Sequence, residues 1–544
     1  MSRTTISERG EARMPEDGAE GGTAGRGGPS RAPGAVALVV AAGAAALLSV
    51  GAFLGLYARP TSDDWCALWK ARDMGVLGIT SDFYLTQNGR VTNAFLTGLV
   101  YSDGMRGPKL LPAFLVVALG AALFLLAREA LRALRLPFPA VATAAAVLVL
   151  EALLFFAGTR SYQVLLWAPA TISHTLPSVI GLWAVLGAVR AARGGPRART
   201  VSAGGALLAG TAVGMLSEPF ALVGGVAAVA VGLMCLPRFG WTKDRYASTW
   251  CAAACLGLAA GLLLLSTSPG ARWRRAQHPP EPLSAAEVGE TFHDWWRVWQ
   301  TVGGQWAYLG AVTAGVLLGL GTAFLGARAR TRAGTRAPAR TRPAAGPSRR
   351  PVLLVAALSP LPLIALASLA VVYGLRSGYG VTGWTYARTW TSFLVPLLPV
   401  LCAYGTGLGL LLGRRLTAPS DGAGPGGLLS PGAPAPLGPG APAPRIAAAR
   451  VAVLVAAGAS TVVCVAALVS PVRDLTTATV ARSLAWDRQD ARIRSEAADG
   501  AREVAYRPLP IGRLAEPFFT TAYPRDWVAQ CASRYYGVSR VTRS

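Results

Sequence analysis

The sequence predicts an all-α polytopic membrane protein, and three observations carry that prediction. Hydrophobic residues make up 52% of the 544-residue chain and charged residues 15%, too little polar surface for soluble domains of that length. The apolar residues gather into runs of about 17 to 24, long enough to cross a bilayer as helices. The net charge of +25 sits mainly as arginine in short loops between those runs, the pattern of the positive-inside bias rather than of a nucleic-acid-binding face. A lipid bilayer is therefore the expected surrounding, and nucleic acid is not an expected partner.

Taken in order, residues 1–33 are Gly-rich, mixed in charge and without apolar period, which predicts a disordered cytoplasmic tail. The run that follows is too long for a signal peptide and lacks a clear cleavage site. Spans are expected at 34–57, 110–127, 138–157, 173–189, 201–217, 220–236, 248–267, 305–327, 351–374, 390–413 and 447–470, about 11 in all within a transmembrane domain at 34–470. The turn between the fifth and sixth is the least marked, resting on Ser217-Glu218-Pro219. Low-complexity linkers are expected at 328–350 and 417–445, too poor in apolar side chains to fold. Arg128, Arg132 and Arg135, then Arg190, Arg193, Arg197 and Arg199, and the arginines of both linkers mark alternate loops as cytoplasmic. The N terminus is then inside, and residues 471–544 form a small extracytoplasmic lid on a multi-pass protein of the cell membrane.

Candidate chemistry collects on the outer loops. Asp63 and Asp64 lie just past the first span, in an outer loop at 58–109 that also holds Tyr84 and Asn88-Gly89-Arg90. Acids, an arginine and aromatics together suit an anionic or sugar-bearing lipid head group. The alternative is an interfacial helix start capped by one acid, which needs only one of the two. A second outer loop, 268–304, opens with Ser268-Pro269-Gly270-Ala271-Arg272, where guanidinium groups either clamp phosphate or meet anionic lipid. Phe292, Trp295, Trp296, Trp299 and Trp306 then recur at helical spacing, predicting an amphipathic helix on the membrane surface. Arg160, Trp167 and His174 fill one outer turn, Glu218 marks another, and Arg388 closes a basic and aromatic stretch that begins at Arg376. Glu151 is the plain acid within a span and is expected to face the protein interior. No phosphate-binding Walker loop or dinucleotide glycine fingerprint is present, and His174, His278 and His293 make no zinc constellation.

The order Asp63-Asp64-Trp65-Cys66, Tyr84 with Asn88-Gly89-Arg90, Trp167 to Pro177, Glu218, Pro269-Gly270 with Arg272, and Asp526-Trp527-Val528, Cys531, Tyr535-Tyr536-Gly537 resembles a group of bacterial multi-pass membrane proteins similar to the GT-C glycosyltransferases. The resemblance spans most of the chain outside 1–33 and the linkers. It implies a polyprenyl-phosphate-linked sugar as donor, a cell-envelope glycan or lipid as acceptor, and Asp63 and Asp64 as the catalytic acids of the first outer loop. A large folded outer domain, present in better-known members, is missing.

Inverting sugar transfer needs a carboxylate to take the acceptor proton and cations to stabilise the departing phosphate. Asp63 or Asp64 is the candidate base, and Arg90, Arg272 and Arg388 the candidate cations, with Asn88, Tyr84, Arg160, His174 and Glu218 as further substrate-binding positions. The scheme requires no cofactor, and the paired acids leave room for a divalent metal. The rival reading is a secondary transporter or flippase of lipid-linked sugars built around an intramembrane acid. Cys235, Cys251, Cys255, Cys402 and Cys464 fall within spans, which leaves Cys66 and Cys531 outside them; a disulfide between these two is expected to staple the lid over the acidic loop.

Overall fold

The computed structural model describes residues 32–158, 160–238, 241–277, 284–332, 357–417, 443–511 and 526–543. The expected tail up to residue 31, most of both linkers, His278 and the lid residues Phe518 and Phe519 lie outside the described residues. The helices are α1 (Ala32–Leu54), α2 (Asp63–Thr86), α3 (Val91–Tyr101), α4 (Arg106–Ala133), α5 (Ala140–Phe156), α6 (Ala168–His174), α7 (Leu176–Ala191), α8 (Pro196–Gly214), α9 (Glu218–Met234), α10 (Arg245–Thr267), α11 (Pro269–Gln277), α12 (Ala285–Gly304), α13 (Leu309–Arg332), α14 (Pro360–Tyr379), α15 (Thr391–Thr417), α16 (Ala443–Ala466), α17 (Val469–Ala498) and α18 (Trp527–Tyr536). A parallel pair of four-residue strands, β1 (Glu503–Tyr506) and β2 (Arg540–Arg543), completes the chain.

Among the described residues, eight helices are long and apolar enough to cross a membrane, so the protein is an all-α polytopic one. The expected spans at 138–157 and 220–236 correspond to α5 and α9, 17 residues each and shorter than those eight. The fifth expected span is α8, a 19-residue helix opened by Pro196 and Arg197.

Lipid offers no hydrophobic drive for one helix to meet another, so close packing has to supply it. Two helix pairs achieve this through reciprocal glycines spaced four apart. Gly210 and Gly214 of α8 face Gly257 and Gly261 of α10; a methyl group on Gly214 would lie 2.6 Å from the Leu258 carbonyl oxygen. Gly315 and Gly319 of α13 meet Gly405 and Gly409 of α15 in the same way.

One end of the bundle gathers the segments expected outside. The loop expected outside at 58–109 is mostly helical: α2 breaks at Gly75, whose φ of 67° suits only glycine, and folds back so that its second arm lies along α3. The lid begins as a helix, because α17 follows α16 almost without interruption. Its apolar core closes on Trp65 of α2, a fully buried ring 6.0 Å from Trp486, 5.8 Å from Tyr506 and 5.3 Å from Tyr535. Val504, Val528 and Val541 join them, whereas Trp527 is exposed. The Cys66–Cys531 disulfide forms beside this core, with α-carbons 4.8 Å apart.

The aromatic helix α12 divides its rings. Trp295 and Trp299 turn inward, and both Nε1 groups donate to Ser368 Oγ of α14, at 2.9 and 3.0 Å, while Phe292 and Trp296 stay exposed. Its acids are anchored too: Arg376 of α14 donates to Glu287 at 2.7 Å and to Asp294 at 2.8 Å. Asp294 is 1% exposed, so removing Arg376 leaves this buried charge only the looser ion pair with Arg297 at 3.6 Å. Arg376→Ala is expected to cost about 3 to 5 kcal/mol, seen as a lower Tm in detergent. The double variant Arg376→Met with Asp294→Leu should recover most of that loss, and no recovery would refute the explanation.

Candidate functional site

The two aspartates share a sequence context but not an environment. α2 starts at Asp63, and Ser62 before it holds φ at 49°, a left-handed conformation costly for a residue with a β-carbon. That turn sends the two carboxylates apart. Asp64 is 3% exposed; the Tyr101 hydroxyl donates to its Oδ1, and the Thr61 backbone N–H donates to its Oδ2 at 2.9 Å. Arg482 from the lid helix donates to the carbonyls of Arg59 and Pro60, at 3.1 and 2.8 Å, bringing its charge close by. Asp64 thereby ties the turn before α2 and the start of α2 to the end of α3.

Burial pushes the Asp64 carboxyl up to about 7, the bonds from Tyr101 and Thr61 pull it down, the charge of Asp63 raises it, and Arg482 lowers it. Its ordinary value is 3.8, so between about 4 and 7 the folded protein holds a proton that the unfolded chain has released. Stability contributed here is full below about 4 and falls as pH rises to about 7. Asp64→Asn is expected to flatten that decline in Tm measured from pH 4 to 8, and an undiminished slope in the variant would contradict it.

Asp63, in contrast, is exposed to solvent. Burial by the surrounding protein nevertheless pushes its carboxyl above the usual range, and the charges of Arg388 and Arg90 pull it back. Asp63 is thus an exposed carboxylate with protein packed around it and two guanidinium groups in electrostatic reach.

Turns on other segments set the two arginines. The Asn88 side chain accepts from the Arg90 N–H at 3.0 Å, and Gly89 at φ 72° lies so close to Ser268 and Leu265 that no side chain fits there. This turn directs Arg90 onto Glu218, the first residue of α9, in a two-point ion pair at 2.7 and 3.3 Å. Thr391 Oγ1 donates to the His174 carbonyl at 2.5 Å, joining α6 to the turn that carries Arg388. Arg388 lies over the rings of Trp167 and Tyr386, at 5.5 and 5.2 Å. Its Nε, the Trp167 Nε1 and the His174 Nδ1 are buried without a hydrogen-bond partner among the described residues.

Arg160 is the most telling neighbour. Burial and the like charge of Arg388 both push its pKa down, so the two guanidinium groups lie in electrostatic reach of each other. No ion pair to either of them is present among the described residues. A cavity of about 150 Å³ is lined by Arg160, Gln305, Tyr308 and Thr391 and reaches Ala387, the neighbour of Arg388, though neither Arg388 nor Asp63 lines it. Guanidinium groups not held in an ion pair suit phosphate oxygens.

Asp63, Arg90, Arg160, His174, Glu218 and Arg388 thus come together from stretches far apart in sequence. Asn88 supports the group through a backbone turn. Tyr84 is exposed near the end of α2, and Arg272 is exposed on α11, where its N–H bonds the Ser268 carbonyl at 3.0 Å; neither joins the group. Pro269-Gly270 serves packing instead, since a methyl group on Gly270 would lie 2.6 Å from the Gln87 nitrogen. Tyr101 and Arg482, which lock Asp64, were not among the residues singled out in the sequence, where a lone tyrosine and one arginine among many carry no signal. No protein-family model, curated protein or solved structure matches the chain.

Proposed function

We propose that the protein is a membrane glycosyltransferase of the GT-C kind, moving a hexosyl or pentosyl group from a polyprenyl-phosphate donor to a cell-envelope glycan or lipid. In this reading the chain crosses the membrane 11 times, with the N terminus inside and the lid outside. The observation that carries it is an exposed carboxylate, Asp63, in electrostatic reach of Arg388 and Arg90, with Arg160 in turn in electrostatic reach of Arg388.

The chemistry follows from that arrangement. The acceptor hydroxyl attacks the anomeric carbon as its proton passes to Asp63, and the bond from that carbon to the phosphate oxygen breaks. The electron pair leaves with the polyprenyl phosphate, whose charge Arg388 and Arg160 stabilise. Arg90, held by Glu218, adds positive potential beside Asp63 and favours its ionised form before transfer. Asp64 keeps the elbow in place rather than taking the proton.

Purified protein in nanodiscs, given radiolabelled polyprenyl-phosphate sugars and envelope extract, should transfer label to a glycan or lipid. No transfer from any such donor, with envelope glycans unchanged in a deletion strain, would overturn the reading. Glu151 favours a second one, transport of the lipid-linked sugar: it is fully buried in α5 against Gly120 of α4, and both carboxyl oxygens have no partner among the described residues. Movement of a fluorescent lipid-linked sugar across proteoliposomes, abolished by Glu151→Gln and retained in Asp63→Asn, would select transport.

A further inference from the structure

We propose that a cavity of about 570 Å³ between the elbow after α1 and the lid binds an anionic saccharide, a sugar bearing a phosphate or carboxylate group, at a site separate from Asp63. The size falls within the range of small-molecule sites, roughly 300 to 1,000 Å³. Tyr101, which bonds Asp64, lines the cavity, whereas Asp63 is not among its lining residues.

Charge selects an anion. Of the cations lining the cavity, Arg59 is held by Asp487 at 2.6 and 2.9 Å, Arg72 by Asp73 and two lid carbonyls, and Arg494 by Asp490 and the Tyr535 hydroxyl. Lys109, at the start of α4, is the exception: its ammonium group has no hydrogen-bond or carboxylate partner among the described residues, although it lies in reach of the Arg59–Asp487 pair. A compact ammonium group with three free donors fits a phosphate or carboxylate oxygen.

Polar acceptors and rings select a sugar. Asp487, Asp490 and Asp103 line the cavity, Asp103 held by Arg106 at 2.9 Å and Asp490 also accepting from the Tyr536 hydroxyl at 3.0 Å, and the acceptor capacity left on these carboxylates suits hydroxyl donors. Trp486 and Tyr535 add aromatic surface, and the Trp486 Nε1 is buried without a hydrogen-bond partner among the described residues. The Cys66–Cys531 bridge joins α2 to the lid, so opposite walls are covalently held and the site is formed in advance of any ligand.

The inference does not rest on sugar transfer, and its test is kept apart from that reading. Full-length protein in phosphatidylcholine nanodiscs, disulfide intact, is titrated calorimetrically with glucose 1-phosphate, glucuronate, glucose and inorganic phosphate. Saturable binding of at least one anionic sugar is expected, tighter than that of glucose or phosphate. Lys109→Ala should weaken it by about tenfold or more, the worth of a charge-assisted hydrogen bond, and Asp63→Asn should leave it unchanged. Asp487→Asn supplies a second variant at the same wall, with Tm checked for both. Absence of binding by both anionic sugars overturns the proposal, as does binding indifferent to both wall variants or lost in Asp63→Asn. Phosphate binding as tightly as the sugars would mark a plain anion site, and competition by phosphatidylglycerol nanodiscs a lipid head-group site; either result overturns the saccharide assignment.

Discussion

Asp63→Asn lowers the rate of sugar transfer by about 100- to 10,000-fold, the usual cost of losing a general base, while the protein keeps its fold and its disulfide. The expectation follows from the division of labour between the two acids. Asp63 is exposed and makes no hydrogen bond that its amide would break among the described residues, so the substitution spares stability. Asp64 has both oxygens engaged, and its substitution acts first on the elbow between α1, α2 and α3. Transfer rates in nanodiscs, measured beside Tm and the fraction of Cys66–Cys531 bridge, separate these effects. Near-normal transfer by Asp63→Asn with little transfer by Asp64→Asn at equal stability would reverse the assignment of the base.

The second large effect is expected at Arg388. Arg388→Lys should reduce transfer by about 100- to 1,000-fold, in the range of losing one preorganised donor to a developing oxyanion. Lysine carries the charge but not the planar fork, and it stacks poorly between Trp167 and Tyr386. Arg160→Lys should behave similarly if both guanidinium groups grip one phosphate, and the double variant should lose less than the product of the two single losses. Arg272→Lys, on the exposed face of α11, provides the matched control. Equal rates for Arg388→Lys and Arg272→Lys would remove Arg388 from the proposed phosphate site.

Much of the architecture was legible because lipid imposes a simple rule on sequence. Backbone groups in hydrocarbon must bond within a helix, so long apolar runs announce themselves, and the eight long apolar helices coincide with expected spans. The bridge between Cys66 and Cys531 was legible for a related reason: apolar surroundings claimed the other five cysteines and left one possible partner for each.

What the sequence by itself determined, then, is the polytopic helical class, the segments that meet at one end and the residue types offered there. Only the tertiary structure decided which of them act together. Asp63 and Asp64 are adjacent and chemically identical, and they differ because Tyr101 and Thr61 capture one of them. Arg160 and Arg388 lie more than two hundred positions apart and come into electrostatic reach only in the fold, where Thr391, three residues past Arg388, bonds the His174 carbonyl of α6. Arg272 looked equivalent to Arg388 in the sequence, yet α11 leaves it at the surface. The physical reason is common to all three cases. Helix formation and membrane insertion are read from local composition, whereas burial, charge proximity and hydrogen-bond satisfaction depend on contacts between distant segments that no single stretch of sequence encodes.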